Sequence, residues 1–178
     1  MTKSIQYDIH EHAHRFALWA AARAATRGMA GGKTENIEKA IEQANLRNFL
    51  EANEGEKHIS DFDSYLEKHE DFCKEIISYF NEIKLECTYG RAAKIVAVYF
   101  KTRLLNLENH PLINVIFPPI DSVLLKNLAD KSPELKFLAD KKWTQFDEGG
   151  YRIVIEAISK WSIKNNLKFW EVEKYWRP

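Results

Sequence analysis

The chain has 178 residues, with 26 Lys and Arg against 26 Asp and Glu and a formal net charge of zero. That length fits one domain, and an apolar share of 45% is enough to bury a core. Neutrality argues against a plain nucleic-acid binder, which carries a basic surplus, but leaves room for a local basic face.

No run of eighteen apolar residues occurs, so no membrane span is expected. The opening MTKSIQYDIHEH lacks the apolar stretch of a secretory signal. Cys73 and Cys87 form no C-x-x-C pair, and with no signal they read as free thiols of a cytoplasmic protein. Helical periods dominate, Gly and Pro are scarce, and no repeat, low-complexity tract or strand alternation appears. The expectation is a single all-α domain over residues 1–178, compact, multi-helix and monomeric.

In chain order, Asp8 is placed to cap a first helix over residues 8–27. His12, Phe16, Trp19 and Arg23 fall on one stripe of it, and its alanines permit close packing by a neighbour. His10 and His14 stand four apart, a spacing that could chelate a metal from one face, but no third ligand is nominated by spacing and no metal is expected. Hydrogen bonding by the histidines and Arg15 is the structural alternative. A further reading places His10, His14, Arg15 and Trp19 on the wall of a functional pocket.

GMAGGKT, residues 28–34, superficially resembles a phosphate-binding loop. Arg27 stands where the first glycine is required, and the segment follows a helix rather than a strand. No nucleotide cofactor is expected, and Thr34 reads as the cap of a second helix over residues 35–52. A polar loop, 53–59, leads to a third helix capped by Ser60 with Asp63 and running to about Lys84, with a break near His69.

Residues 92–100 are apolar on nearly all sides, the mark of a buried helix, apart from Lys94. Apolar neighbours and a helix N-terminus both disfavour the ammonium, and an amine with a lowered pKa can act as a nucleophile that forms a Schiff base. Pro118 and Pro119 stiffen the approach to Asp121, which opens the next helix over residues 122–130 and is held ionised there. A fixed carboxylate near a fixed amine could stabilise a cationic transition state. The plain alternatives are a first-turn lysine reaching solvent and an ordinary N-cap aspartate. Asp147 is placed to cap a further helix with Tyr151, Val154, Ile155, Ile158 and Trp161 inward, and a short final helix carries Trp170, Val172, Tyr175 and Trp176.

Thr88-Tyr89-Gly90-Arg91-Ala92-Ala93-Lys94 and Pro118-Pro119-Ile120-Asp121 together resemble the helix-hairpin-helix DNA glycosylases, in particular the 8-oxoguanine glycosylases and their archaeal type. In that family a hairpin of the form L-P-G-V-G-x-K opens the helix that carries a catalytic lysine, and a proline-containing segment later supplies an aspartate. Here Thr88, Tyr89 and Ala92 stand in place of the leucine, the proline and the second glycine. The resemblance spans residues 88–121.

It implies a helix-hairpin-helix element over about residues 62–105 and duplex DNA as partner, with Tyr89, Gly90, Arg91 and Ala92 meeting the phosphate backbone. It also implies catalysis by Lys94 and Asp121 without a cofactor: base excision with AP-lyase cleavage. Two rivals are open at this point: a non-catalytic α-helical interaction or regulatory module, and a metal-dependent hydrolase built from the N-terminal histidines with Asp121.

Overall fold

A computed structural model describes residues 7–52, 59–104 and 109–177, and among these the fold is all-α with no strand. Seven helices run α1 Ile9–Ala25, α2 Thr34–Gln43, α3 Leu46–Ala52, α4 Phe62–Glu82, α5 Tyr89–Leu104, α6 Ser122–Ala129 and α7 Glu148–Lys164. Tight 3-10 turns at Pro111–Asn114, Pro133–Leu138, Trp143–Gln145 and Phe169–Tyr175 join or follow them. None of the described helices is long and apolar enough to cross a membrane.

The core is organised around α5, which packs against α1, α4, α7 and the Trp143–Gln145 turn. Its pairing with α1 is antiparallel. Arg103 donates to the carbonyl of His10 at one end, the Tyr99 hydroxyl meets Nδ1 of His14 in the middle, and Arg91 donates to the carbonyls of Ala25 and Arg27 at the other. Small side chains are buried on both helices: Ala17, Ala21 and Ala25 on α1, and Ala92, Ala93 and Ala97 on α5.

Caps decide where the helices begin. Asp8 accepts from the amides of His10 and Glu11, as the sequence indicates, and Asp121 and Asp147 cap α6 and α7 from the amides of Leu124 and Gly150. For α4 the cap is Asp61, accepting from Ser64, rather than Ser60. Thr34 is the first residue of α2 and Lys33 the cap position.

The expected single helix over 35–52 is two helices, because Asn45 turns left-handed at φ 57° and ends α2 before α3 starts. Asparagine tolerates that conformation better than most residues. By contrast α4 runs unbroken through His69, whose ring is buried and stacks flat on Tyr151, so the core holds the helix straight at that point. Residues 53–58 of the expected polar loop lie outside the described residues.

Two helices end in the same way. Lys84 after α4 and Asn166 after α7 adopt φ 58° and 53°. In each case the next amide reaches back to the carbonyl five residues earlier, Leu85 to Phe80 and Leu167 to Ser162. A side chain at Lys84 strains this left-handed position by about 1 kcal/mol, which glycine would relieve. Lys84→Gly is therefore expected to raise the unfolding free energy by roughly 1 kcal/mol in urea denaturation. A fall in stability would contradict the strain.

Candidate active site

Lys94 lies in the second turn of α5 and is 7% exposed. Its Nζ donates to Oδ2 of Asp121 at 3.1 Å, across 27 residues of sequence. The ammonium also sits over the indole ring of Trp143, 4.4 Å from the ring centroid. Burial lowers the Lys94 pKa, against the opposing pull of the Asp121 and Glu173 carboxylates. The amine thus gives up its proton below the usual lysine value of 10.5.

Asp121 is held from three sides. Oδ1 accepts the Leu124 amide at 2.9 Å, so the cap geometry of α6 aims the carboxylate. Oδ2 takes the Lys94 ammonium and also the indole N–H of Trp176 at 2.9 Å. The extended Pro118–Ile120 segment delivers the carboxylate there, with Phe117 and Ile120 buried behind it.

A second amine–carboxylate pair stands beside the first. Lys101 Nζ donates to Oε1 of Glu173 at 2.6 Å. Burial pushes the Glu173 carboxyl above the ordinary carboxylate value, the Asp121 charge adds to that rise, and Lys101 and Lys94 oppose it. The four groups form a neutral cluster of two cations and two anions drawn from α5, the start of α6 and the C-terminal turn.

Gly90 seats the turn that covers the amine. Its amide donates to the Phe146 carbonyl at 3.2 Å, and a Cβ on Gly90 would stand 1.8 Å from the Trp143 carbonyl oxygen. Only glycine lets the Trp143–Gln145 turn lie on the start of α5 and bring its indole over Lys94.

Lys94 and Asp121 are thus brought together, as anticipated. The residues expected to meet DNA phosphates are engaged within the fold. Tyr89 is buried with its ring 5.5 Å from Tyr151, Ala92 is buried, and Gly90 is bonded to Phe146. Arg91 is bonded to the carbonyls of Ala25 and Arg27. Helix α5 starts at Tyr89, so these residues are its first turn rather than a projecting hairpin. The α4 and α5 helices are joined by residues 83–88.

The four expected pocket residues do not adjoin the pair. His14 is buried with Nδ1 on the Tyr99 hydroxyl at 2.8 Å, at a groove lined by α2 and α3. Burial and the nearby Arg47 lower its pKa. Arg15 bonds Glu11 at 2.8 Å, while His10 and Trp19 are exposed. The hydrolase alternative is not assembled: the His14 ring is committed to Tyr99 and Asp121 to Lys94 and Trp176, and the described residues contain no cluster of three or more metal-ligating side chains.

Sequence reasoning missed Trp143, Trp176, Glu173 and Lys101 as parts of the site. Trp143, Glu173 and Trp176 stand 49, 79 and 82 residues from Lys94, so only the fold could collect them, whereas Lys101, seven residues further along α5, lies two turns away on the same face and was legible from helical spacing. Comparisons with protein families, curated proteins and solved structures return no match for this chain.

Gly90→Ala is expected to destabilise the protein by about 1–3 kcal/mol, since a backbone carbonyl has to give way and the better helix propensity of alanine recovers only about 1 kcal/mol. Chemical denaturation measures the loss. An unchanged midpoint would show that the turn does not press on α5.

Proposed function

We propose that the chain is a DNA base-excision glycosylase with AP-lyase activity, working through Lys94 and Asp121. The observation that carries the reading is the 3.1 Å contact between a buried amine of lowered pKa and a carboxylate fixed by a helix cap. The resemblance over residues 88–121 assigns roles to the same two side chains.

The chemistry follows from those roles. Neutral Lys94 attacks C1′ of the deoxyribose, and the N-glycosidic bond breaks with its electron pair leaving on the base, which is then protonated. Asp121 stabilises the positive charge that develops on the sugar. Ring opening of the amine adduct gives a Schiff base, loss of the C2′ proton follows, and the C3′–O bond breaks to release the 3′ phosphate. The target nucleotide has to be extruded from the duplex, at a cost of roughly a few kcal/mol in stacking. The Trp143 indole must also leave the ammonium, which forfeits a cation–π contact of roughly 0.5–2 kcal/mol. Because the first turn of α5 is engaged inside the fold, the phosphate contacts of this enzyme lie elsewhere on the surface.

The second reading is an α-helical interaction module in which the same pair is a clasp. It is favoured by the full occupation of Asp121, whose two oxygens already accept from Leu124, Lys94 and Trp176. A clasp ties α5, α6 and the C-terminal segment together and has no need of a reactive amine.

Borohydride trapping on duplex DNA with an abasic site separates the two. The wild type is expected to form a covalent adduct that Lys94→Met abolishes while thermal melting shows the variant still folded. Absence of adduct from the wild type, with folded protein, removes the lyase and puts the module ahead. An adduct persisting in Lys94→Met moves the nucleophile to another residue.

The pH dependence carries a second expectation. Burial lowers the Lys94 pKa, so the reactive neutral amine becomes populated at lower pH than for an ordinary lysine, and the trapping rate rises with pH with its inflection below 10.5. The Glu173 charge opposes this shift by favouring the ammonium. Glu173→Gln therefore moves the inflection to lower pH in the same assay. A shift to higher pH would contradict the assigned electrostatics.

A further inference from the structure

The outward face of α1 is a stripe of aromatic and basic side chains that no helix of the described fold covers. Phe16 and Trp19 are 51% and 52% exposed, yet their rings stack on each other at 5.7 Å with an interplanar angle of 23°. His12 and Arg23 continue the stripe at helical spacing, and Arg27 follows just past the helix end, all three exposed. From His12 to Arg23 the face extends about 16 Å at the helical rise.

Its charge is one-sided. Between Ile9 and Lys33 the sequence holds four Lys and Arg residues and a single acid, Glu11. Glu11 is buried and bound by Arg15 and Arg47, so it does not face solvent along the stripe. Arg15 is held by Glu11 and Lys33 lies beyond the helix, so the cations of the stripe itself are Arg23 and, just past the helix end, Arg27. Two exposed rings that stack on each other present flat apolar faces, which bases match by stacking, and flanking guanidiniums match phosphates.

We propose that this α1 face binds single-stranded nucleic acid, with bases stacking on the Phe16–Trp19 pair and phosphates on Arg23 and Arg27. The chemistry of the face sets the class of partner: the paired rings offer stacking to bases, and Arg23 and Arg27 at one end offer guanidiniums to phosphates. Place supports the assignment as well. The bonds from Arg91 to Ala25 and Arg27 fasten the basic end of α1 to the first turn of α5, one turn before Lys94. A strand lying on the stripe would run towards the end of the helix pair that holds the amine. The surface stands on its own residues, whether or not Lys94 performs amine chemistry.

Fluorescence anisotropy with a labelled oligothymidine of about 15 nucleotides tests it, titrated at several salt concentrations. Binding is expected to weaken about tenfold in Trp19→Ala and in Phe16→Ala, the loss of a stacked base. Arg23→Ala should lower the salt slope by about 0.7, one single-strand phosphate contact. Ile153→Ser, at an exposed site on α7, is the control that keeps wild-type affinity. All these positions are solvent-facing, and circular dichroism checks that each variant is folded.

The proposal is overturned by no binding at low salt, by affinity unchanged in all three face variants, or by equal affinity for a duplex of the same length. Sedimentation showing a dimer that Trp19→Ala dissociates would likewise overturn it, making the occupant a second copy. Trapping at the abasic site is a separate readout: its failure with oligonucleotide binding intact removes the lyase and leaves this surface, and the reverse result removes the surface alone.

Discussion

An ammonium taken out of water is costly unless a counter-charge is fixed beside it, and much of this fold can be understood from how it meets that demand at Lys94. The lysine stands on the central helix among alanines, valines and aromatics. Its carboxylate comes from the start of α6, its covering ring from the turn before α7, and a further hydrogen bond to the carboxylate from the C-terminal tryptophan. Segments far apart in sequence are therefore tied by one buried charge. Removing one partner of such a pair is more damaging than never having had it, because the other is left uncompensated.

The same arrangement accounts for the chemistry available. The α6 cap fixes Asp121 from the Leu124 amide, so the carboxylate is already aimed at Lys94. Burial loosens the proton on Lys94 while Asp121 and Glu173 restrain it, so the amine is held between a structural ion and a nucleophile. The indole of Trp143 covers the ammonium, and that indole is seated by the absence of a side chain at Gly90. A glycine that looks in the sequence like part of a phosphate-gripping hairpin serves here as the contact surface for another backbone. The difference matters, because a hairpin turned inward leaves any nucleic acid to be held by another face, and α1 offers an aromatic and basic one.

Much of this was legible before any tertiary contact was known. The apolar girdle of α5 marked it as buried, the aspartates at 8, 121 and 147 marked helix starts, and the one charged residue inside the girdle marked Lys94 as anomalous. These are local signals: periodicity and capping act over a few residues and survive any arrangement of the rest. The stripe of His12, Phe16, Trp19 and Arg23 was legible as a stripe but not as a surface. Periodicity shows that residues share a face, and says nothing of whether another helix comes to cover it. The alanine face of α1 took the packing position because small residues admit a closer neighbour.

By itself, then, the sequence determined an all-α chain, a central buried helix with a lysine in it, and aspartates positioned to cap and to carry charge. Tertiary structure alone decided that Lys94 meets Asp121, that two tryptophans and a second ion pair close around them, and that the first turn of α5 faces inward. It also decided that the α2–α3 segment breaks at Asn45 and that α4 does not break at His69. The reason is common to all of these. Helix formation is settled by neighbours three and four residues away, whereas the pairing of charges and the covering of faces depend on contacts across tens of residues. Such contacts carry no period along the chain that could announce them.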